Sequence, residues 1–301
     1  MNIELIEKIA EKYGAEYIRN EKLAKYTSFE IGGCCDILVK PNSADCLKDI
    51  LKICRDNGIN YYILGRGSNV LISDKGLKGA VILLSSGFSE IRQPDDCRII
   101  CAAGASLTKV CAFARDNSLT GLEFAYGIPG SVGGALYMNA GAYGGEMKDV
   151  VESCFYLDEN FELKKMSASE MELSYRHSVF SGKNYVITAV CFKLQKGDKA
   201  EISAKMSGLM EKRRSNQPLE YPSAGSTFKR PEGDFAARLI EASGLKGYTC
   251  GGAQVSEKHS GFVINKENAS FEDVMNVIKG VKEKVYADSG VMLECEVLIM
   301  K

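Results

Sequence analysis

Seven glycines fall between Gly127 and Gly145, in the stretch GLEFAYGIPGSVGGALYMNAGAYGGE, and no other feature restricts the fold as much. Ordering glycine costs more chain entropy than ordering any other residue, so a run this dense needs a backbone that turns sharply or approaches something closely. Pro129 fixes one of those turns. A second segment, ILGRGSNVLISD, runs an apolar strand into Gly65, Arg66, Gly67, Ser68 and Asn69. Such a loop can turn its backbone amides outward toward an anion. It is not the G-x-G-x-x-G fingerprint, because the third glycine is missing and the run after Asn69 is β-like. Alone it reads as a tight turn with no ligand, and Gly133 and Gly134 could equally serve close packing. Two such loops in one domain raise the alternative of a dinucleotide pyrophosphate, and spacing leaves both readings open.

The rest of the chain is ordinary enough to scaffold such loops. Its 301 residues are 45% hydrophobic, which fits an ordered globular protein of about two domains. Lys plus Arg (38) nearly balance Asp plus Glu (39), which leaves no basic face for nucleic acid and no acidic tail. A small-molecule partner is expected. The eleven cysteines form no CxxC pair, and Cys34 and Cys35 are adjacent, so neither a disulfide framework nor a zinc or other metal site is expected. Reduced, mostly buried thiols and a cytoplasmic location account for them. The start, MNIELIEKIAEKYG, reads as an amphipathic helix with Ile3, Leu5, Ile6 and Ile9 on its apolar side, not as a signal peptide. No apolar run is long enough to cross a bilayer, so no membrane insertion is expected.

Hydrophobic spacing predicts a helix over Ser43 to Asn57, with Leu47, Ile50, Leu51 and Cys54 buried, Ser43 as N-cap and Gly58 as stop. Ser106 to Asn117 repeats the pattern with Leu107, Val110, Cys111 and Ala114. These helices sit among β-rich runs such as DILVK, YYIL, AVILL and RIICA, so the fold class is α+β. A charged helix near Lys199 to Arg214 and the loop QPLEYPSAGS come after the strand-like YVITAVCFKL. They place a boundary near Gly197 and give domains of 1–197 and 198–301. Beyond it, a helix is predicted over Asp234 to Ser243, and another opens at a capping box of Ser270 and Asp273 with Val274, Val277, Ile278, Val281 and Val285 as its buried stripe. At the C-terminal end Val291, Leu293, Cys295, Val297 and Ile299 alternate as in a strand, which puts Glu294 and Glu296 on the opposite face.

TSFEIGG (27–33), LGRGSNVLISD, GIPGSVGGALYMNAGAYGGE, SYRHSVF (174–180), AGSTFKRP (224–231), LIEASGLKGYTCGGAQVSEKHSGFVIN and LECEV (293–297) occur in one order over nearly the whole chain. In this ordered series the chain resembles the UDP-N-acetylenolpyruvoylglucosamine reductase (MurB) family. The resemblance implies an FAD-binding domain of the vanillyl-alcohol oxidase and p-cresol methylhydroxylase type, with a smaller C-terminal α+β substrate domain after it. It also implies non-covalent FAD, NADPH as donor, and reduction of UDP-N-acetylglucosamine enolpyruvate to UDP-N-acetylmuramate for peptidoglycan synthesis. In the family's ping-pong scheme, hydride passes from flavin N5 to the terminal carbon of the enolpyruvyl ether, and a proton goes to the adjacent carbon.

Residue by residue, the resemblance places the cofactor at Gly65, Arg66, Gly67, Ser68 and Asn69 and at Gly127, Ile128, Pro129, Gly130, Ser131, Gly133, Gly134 and Asn139. Arg176 matches the family's arginine, whose permanently charged planar fork suits a carboxylate that gains charge in the transition state. Ser226 matches the proton donor, although a serine in such a loop is more often a turn or cap residue and is a poor acid without help. Glu296 matches the acidic catalytic residue. Alternation alone does not choose between it and Glu294, and two carboxylates on one face are more often simply solvated. Tyr175, Arg230, Lys246 and His259 are the implied substrate contacts, the last two for the diphosphate. Arg230 stands where a longer family branch has asparagine, and the chain lacks that branch's tyrosine-bearing insertion. His177 reads as structural.

Overall fold

The amphipathic N-terminus folds as α1 (Glu4–Tyr13), with Ile6 and Ala10 fully buried and Ile3 and Ile9 packed beside them. Helix α2 (Ala44–Asp56) starts where Ser43 Oγ accepts from Cys46 N at 3.2 Å. Its buried stripe is Cys46, Leu47, Ile50, Leu51 and Cys54, the predicted set plus one cysteine. Helix α3 (Leu107–Asp116) buries Leu107, Val110, Cys111 and Ala114, as its spacing predicts. In this computed structural model, which describes residues 2–301, the chain divides into two units, and all three helices belong to the first.

The first unit holds two larger sheets and two short two-stranded ones. One has four strands in the order Glu16–Arg19, Cys35–Lys40, Leu77–Leu83 and Tyr61–Leu64. Its first pair is antiparallel and its last pair parallel. The other larger sheet is antiparallel, in the order Leu163–Ser167, Val151–Leu157, Val186–Lys193, Arg98–Ala102 and Ile91–Asp95. A six-residue helix, α4 (Val132–Tyr137), interrupts the long glycine segment. Helix α5 (Lys199–Asn216) buries Ile202 and Met206 in the same core, and its Lys205 reaches the buried carboxylate of Glu123 at 3.4 Å.

The second unit is built around α6 (Ala236–Ala242), α7 (Phe271–Ser289) and an antiparallel sheet in the order Ser223–Ser226, Phe262–Asn265, Ala253–Val255 and Thr249–Cys250. The capping box that starts α7 forms as predicted, and Val274, Val277, Ile278, Val281 and Val285 are all buried. Each such side chain contributes roughly 1.5–3 kcal/mol of apolar burial.

The single cut near Gly197, giving 1–197 and 198–301, does not describe this division. The first unit takes residues up to Asn20, Asp36–Arg66 and Lys78–Lys212; the second takes Glu21–Cys35, Gly67–Leu77 and Arg213 onward. Packing explains the difference. Val70–Ile72 pairs in parallel with Leu298–Met300, and Ser223 N donates to Ser28 O at 3.0 Å. Phe29, Ile31 and Leu71 share a core with Val274, Val281 and Leu293. The predicted strand over 291–299 is also shorter than expected. Only Leu298–Met300 is a strand, while Cys295 makes a lone bridge to Phe228. The burial alternation survives at Leu293 and Val297, both buried.

Seven of the eleven cysteines are buried, and all eleven are free thiols. Burial pushes the Cys35 thiol up to about 11 and those of Cys54 and Cys154 up to about 12, so they stay protonated and pack as small apolar groups. No helix among the described residues is long and apolar enough to cross a membrane.

Candidate active site

The two glycine segments acquire different uses in the first unit. Gly65 comes directly after the Tyr61–Leu64 strand, and a Cβ there would lie 2.2 Å from Ser131 Oγ, so the segments are packed in register with each other. Ser131 is buried and caps α4, its Oγ accepting from Gly134 N at 3.4 Å. The next two amides are also committed: Val132 N donates to Ala105 O at 2.9 Å and Gly133 N to Ala103 O at 2.8 Å. Gly133 and Gly134 therefore spend their amides on protein acceptors, and a Cβ at Gly133 would stand 2.8 Å from Ala103 Cβ, a close-packing use that the exposed Gly134 does not share. By contrast, among the described residues the amides of Gly65, Arg66, Gly127, Gly130 and Ser131 meet no protein acceptor. Gly130 and Ser131 are themselves buried, and buried donors in folded proteins rarely go without an acceptor. Their donors fit a bound pyrophosphate. Ile128 donates its amide to Ala125 O at 3.0 Å, and Pro129, exposed, has none to give.

Asn139, expected at the cofactor, gives its side chain to protein partners. It is fully buried in the left-handed region (φ +41°), and its side chain is committed to protein on both sides. Nδ2 donates to Glu146 Oε2 and to Ser174 O (2.9 Å), and Oδ1 accepts from Lys148 N at 2.9 Å. Ser174 begins the turn that carries Tyr175 and Arg176, closed by reciprocal bonds between Ser174 and His177 at 3.1 and 3.2 Å. Arg176 sits at φ +54°, half-buried. Its guanidinium lies 4.9 Å from the centre of the Tyr175 ring and donates to Gly141 O at 3.4 Å.

Gly67, Ser68 and Asn69 belong to the second unit. Gly67 has φ +59°, and a Cβ there would stand 1.9 Å from Tyr26 O. The TSFEIGG segment is thus pressed onto this loop, with Ser28 N donating to Gly67 O at 3.0 Å. Gly58, at φ +62°, has nothing within 4 Å of such a Cβ. Gly58→Ala should therefore cost only the left-handed strain, roughly 1–2 kcal/mol. Gly67→Ala must also move the backbone at Tyr26 and Thr27, so calorimetry should show the larger fall in Tm for Gly67→Ala. Equal shifts would contradict the close approach.

Asn69 is likewise drawn inward. Its Nδ2 donates to Glu296 O at 3.2 Å, and its carbonyl accepts from Leu298 N at 3.0 Å. Glu296 N donates to Thr227 O at 2.8 Å. Thr227 is fully buried, with its amide on Gly261 O (2.8 Å) and its Oγ1 accepting from Val263 N (3.0 Å). Thr227 therefore holds Glu296 next to Ser226, which is exposed and comes after Gly225 at φ +76°. Glu294 pairs with Lys229 at 3.3 Å, and its side chain is 73% exposed. Sequence reasoning missed Thr227, whose one signal was its place directly after Ser226.

The remaining predicted contacts lie in the second unit. Arg230 stacks its guanidinium 4.4 Å over the exposed Phe235 ring. Lys246 pairs with Glu241 at 2.7 Å. His259 packs edge-on against Phe262, and its Nδ1 accepts from Gly261 N at 3.2 Å. Burial holds the His259 imidazole below the usual histidine range, with the Lys246 charge adding to the effect, so the ring is neutral at pH 7. Arg176 belongs to the first unit, and Ser226 and Glu296 to the second.

Two family descriptions match the chain: "FAD binding domain" over residues 35–166 and "UDP-N-acetylenolpyruvoylglucosamine reductase, C-terminal domain" over 217–300. Curated proteins named UDP-N-acetylenolpyruvoylglucosamine reductase are similar throughout. That of Clostridium novyi is 48% identical over 99% of this chain and 97% of its own length. That of Clostridium tetani is 48% identical over 99% and 96%. The crystal structure of UDP-N-acetylenolpyruvylglucosamine reductase from Thermus caldophilus superposes with a TM-score of 0.81 at 32% identity, covering 95% of this chain and 99% of that one.

Proposed function

The chain belongs to the UDP-N-acetylenolpyruvoylglucosamine reductase (MurB) family, and we propose that it reduces the enolpyruvyl ether of UDP-N-acetylglucosamine to UDP-N-acetylmuramate with non-covalently held FAD and NADPH as donor. The observation that supports this reading is the Thr227 bracket, in which the residue directly after Ser226 accepts a backbone hydrogen bond from the sequence-distant Glu296. When bound, FAD supplies the redox chemistry, passing two electrons from NADPH to the enolpyruvyl double bond. The free amides of Gly65, Arg66, Gly127, Gly130 and Ser131 are the donors that would receive its pyrophosphate, and Gly67 and Ser68 continue that loop. Gly133 serves it by packing against Ala103.

The protein's own tasks are electrostatic and acid–base. Arg176 offers a planar cationic fork to the substrate carboxylate, where negative charge grows as the double bond is reduced. Ser226 Oγ delivers the proton to the carbon next to that carboxylate, and Glu296 is the acidic group that assists at the same carbon. Lys246 brings charge and neutral His259 brings a hydrogen-bonding ring to the diphosphate, with Tyr175 and Arg230 as further substrate contacts. The reaction is placed in the cytoplasm, where thiols stay reduced.

The test is turnover. NADPH oxidation should depend on added UDP-N-acetylglucosamine enolpyruvate, and mass spectrometry should show a product heavier by two hydrogens. NADPH oxidation indifferent to that substrate, or flavin reduction by an alcohol instead of NADPH, would overturn the assignment.

A further inference from the structure

We propose that Asn139 is a positioning residue that holds Arg176 in its working geometry, and that this, not contact with the cofactor, is what its side chain does. The inference rests on the assignment of Arg176 to the substrate carboxylate for its catalytic consequence, but not for the geometry itself. Arg176 occupies a left-handed backbone conformation, φ +54°, which for a residue with a Cβ costs roughly 1–2 kcal/mol and persists only when its surroundings enforce it. The turn itself supplies two bonds between Ser174 and His177. Further ties come from the end of α4 and the residues just after it. Asn139 Nδ2 grips Ser174 O at the start of the turn, and Ser178 Oγ donates to Tyr137 O at 2.6 Å just beyond its end. Gly141 O then receives the Arg176 guanidinium. Tyr137, Asn139 and Gly141 thus touch the arginine hairpin at three successive points.

Asn139 is itself fixed from the far side. Its remaining Nδ2 hydrogen goes to Glu146, its Oδ1 takes the Lys148 amide, and its own φ of +41° suits asparagine better than most residues. Both amide hydrogens and the carbonyl oxygen have protein partners and the residue is fully buried. The side chain is therefore a rigid strut between the Glu146–Lys148 segment and the arginine turn, anchored to the helix that comes after the glycine loop. An aspartate at this position would keep the acceptor for Lys148 but turn a carboxylate oxygen toward Glu146 and the Ser174 carbonyl, reversing an attraction into a repulsion.

The variant that isolates the side chain is Asn139→Gly, since glycine accepts the left-handed backbone without strain. In the FAD-loaded protein, the Nε–H signal of Arg176, identified as the one missing from Arg176→Lys, should show an order parameter lowered toward the values below about 0.6 that mark flexible groups. Reoxidation of the reduced flavin by the enolpyruvyl substrate should slow about tenfold or more, far more than its reduction by NADPH. The double variant with Arg176→Lys should be little slower than Arg176→Lys alone, because a strut has nothing left to position. An unchanged Arg176 order parameter, or fully additive losses in the double variant, would overturn the positioning role. A lowered order parameter with an unchanged substrate rate would uphold the strut and count instead against Arg176 as the carboxylate's partner. Should Asn139→Gly fail to fold, Asn139→Asp read by the same Nε–H signal gives the same decision.

Discussion

Ser226→Ala slows reoxidation of the reduced flavin by the enolpyruvyl substrate on the order of a hundredfold or more, the usual loss for a removed general acid, while NADPH still reduces the flavin at close to the parent rate. The asymmetry arises from where Ser226 sits. It is exposed, and the buried residue beside it, Thr227, carries the structural bonds to Gly261, Val263 and Glu296. Removing the Ser226 hydroxyl therefore leaves the scaffold standing and takes away only a proton source. Stopped-flow absorbance of the flavin separates the halves: equal slowing of both would mean that Ser226 shapes the site without donating the proton.

The second large effect separates the two carboxylates of LECEV. Glu296→Gln keeps volume and removes charge, and should cut the substrate half-reaction about a hundredfold or more. Glu294→Gln should be close to the parent enzyme in both halves. An exposed pair such as Glu294 with Lys229 stabilises by about 1 kcal/mol at most. The backbone around Glu296, in contrast, is tied on one side to Thr227 and on the other to Asn69. Residues two apart on extended chain lie about 6.5 to 7 Å from one another, too far for one small reacting group to meet both carboxylates equally. Single-turnover traces of the two variants decide the point. If Glu294→Gln proves the more damaging, the catalytic assignment moves two positions along the chain.

Much of this fold is written in local periodicity. The stripes Leu107, Val110, Cys111, Ala114 and Val274, Val277, Ile278, Val281, Val285 bury as their spacing requires, because a helix presents residues three and four apart on one face whatever it packs against. The split into units was not legible, since it depends on which distant strand Val70–Ile72 chooses, and a three-residue apolar run carries no information about its partner. The C-terminal strand shows the same limit in reverse. Alternation from Val291 to Ile299 correctly orients Leu293 and Val297, yet ladder pairing extends over only Leu298–Met300.

At the site, backbone needs were easier to read than side-chain commitments. The close approach of Gly67 to Tyr26 is the kind of demand that only glycine meets, and glycine marks it in the sequence. Asn69 and Asn139 look in the sequence like loop residues facing a ligand, and their side-chain amides also grip protein carbonyls, those of Glu296 and Ser174. Nothing local distinguishes those two uses of an asparagine, because its donors and acceptor suit either. The choice of Arg176, Ser226 and Glu296 came from family resemblance, and local chemistry alone did not single them out.

The central claim, that NADPH and the enolpyruvyl nucleotide sugar exchange electrons through one bound flavin, is tested most directly without oxygen. Acid precipitation first establishes that the yellow colour is released as free FAD. NADPH added anaerobically to the intact protein should then bleach the flavin, and UDP-N-acetylglucosamine enolpyruvate added next should restore the colour in stoichiometric amount. A flavin that NADPH leaves oxidised, or one that stays bleached when the substrate is added, would contradict the account.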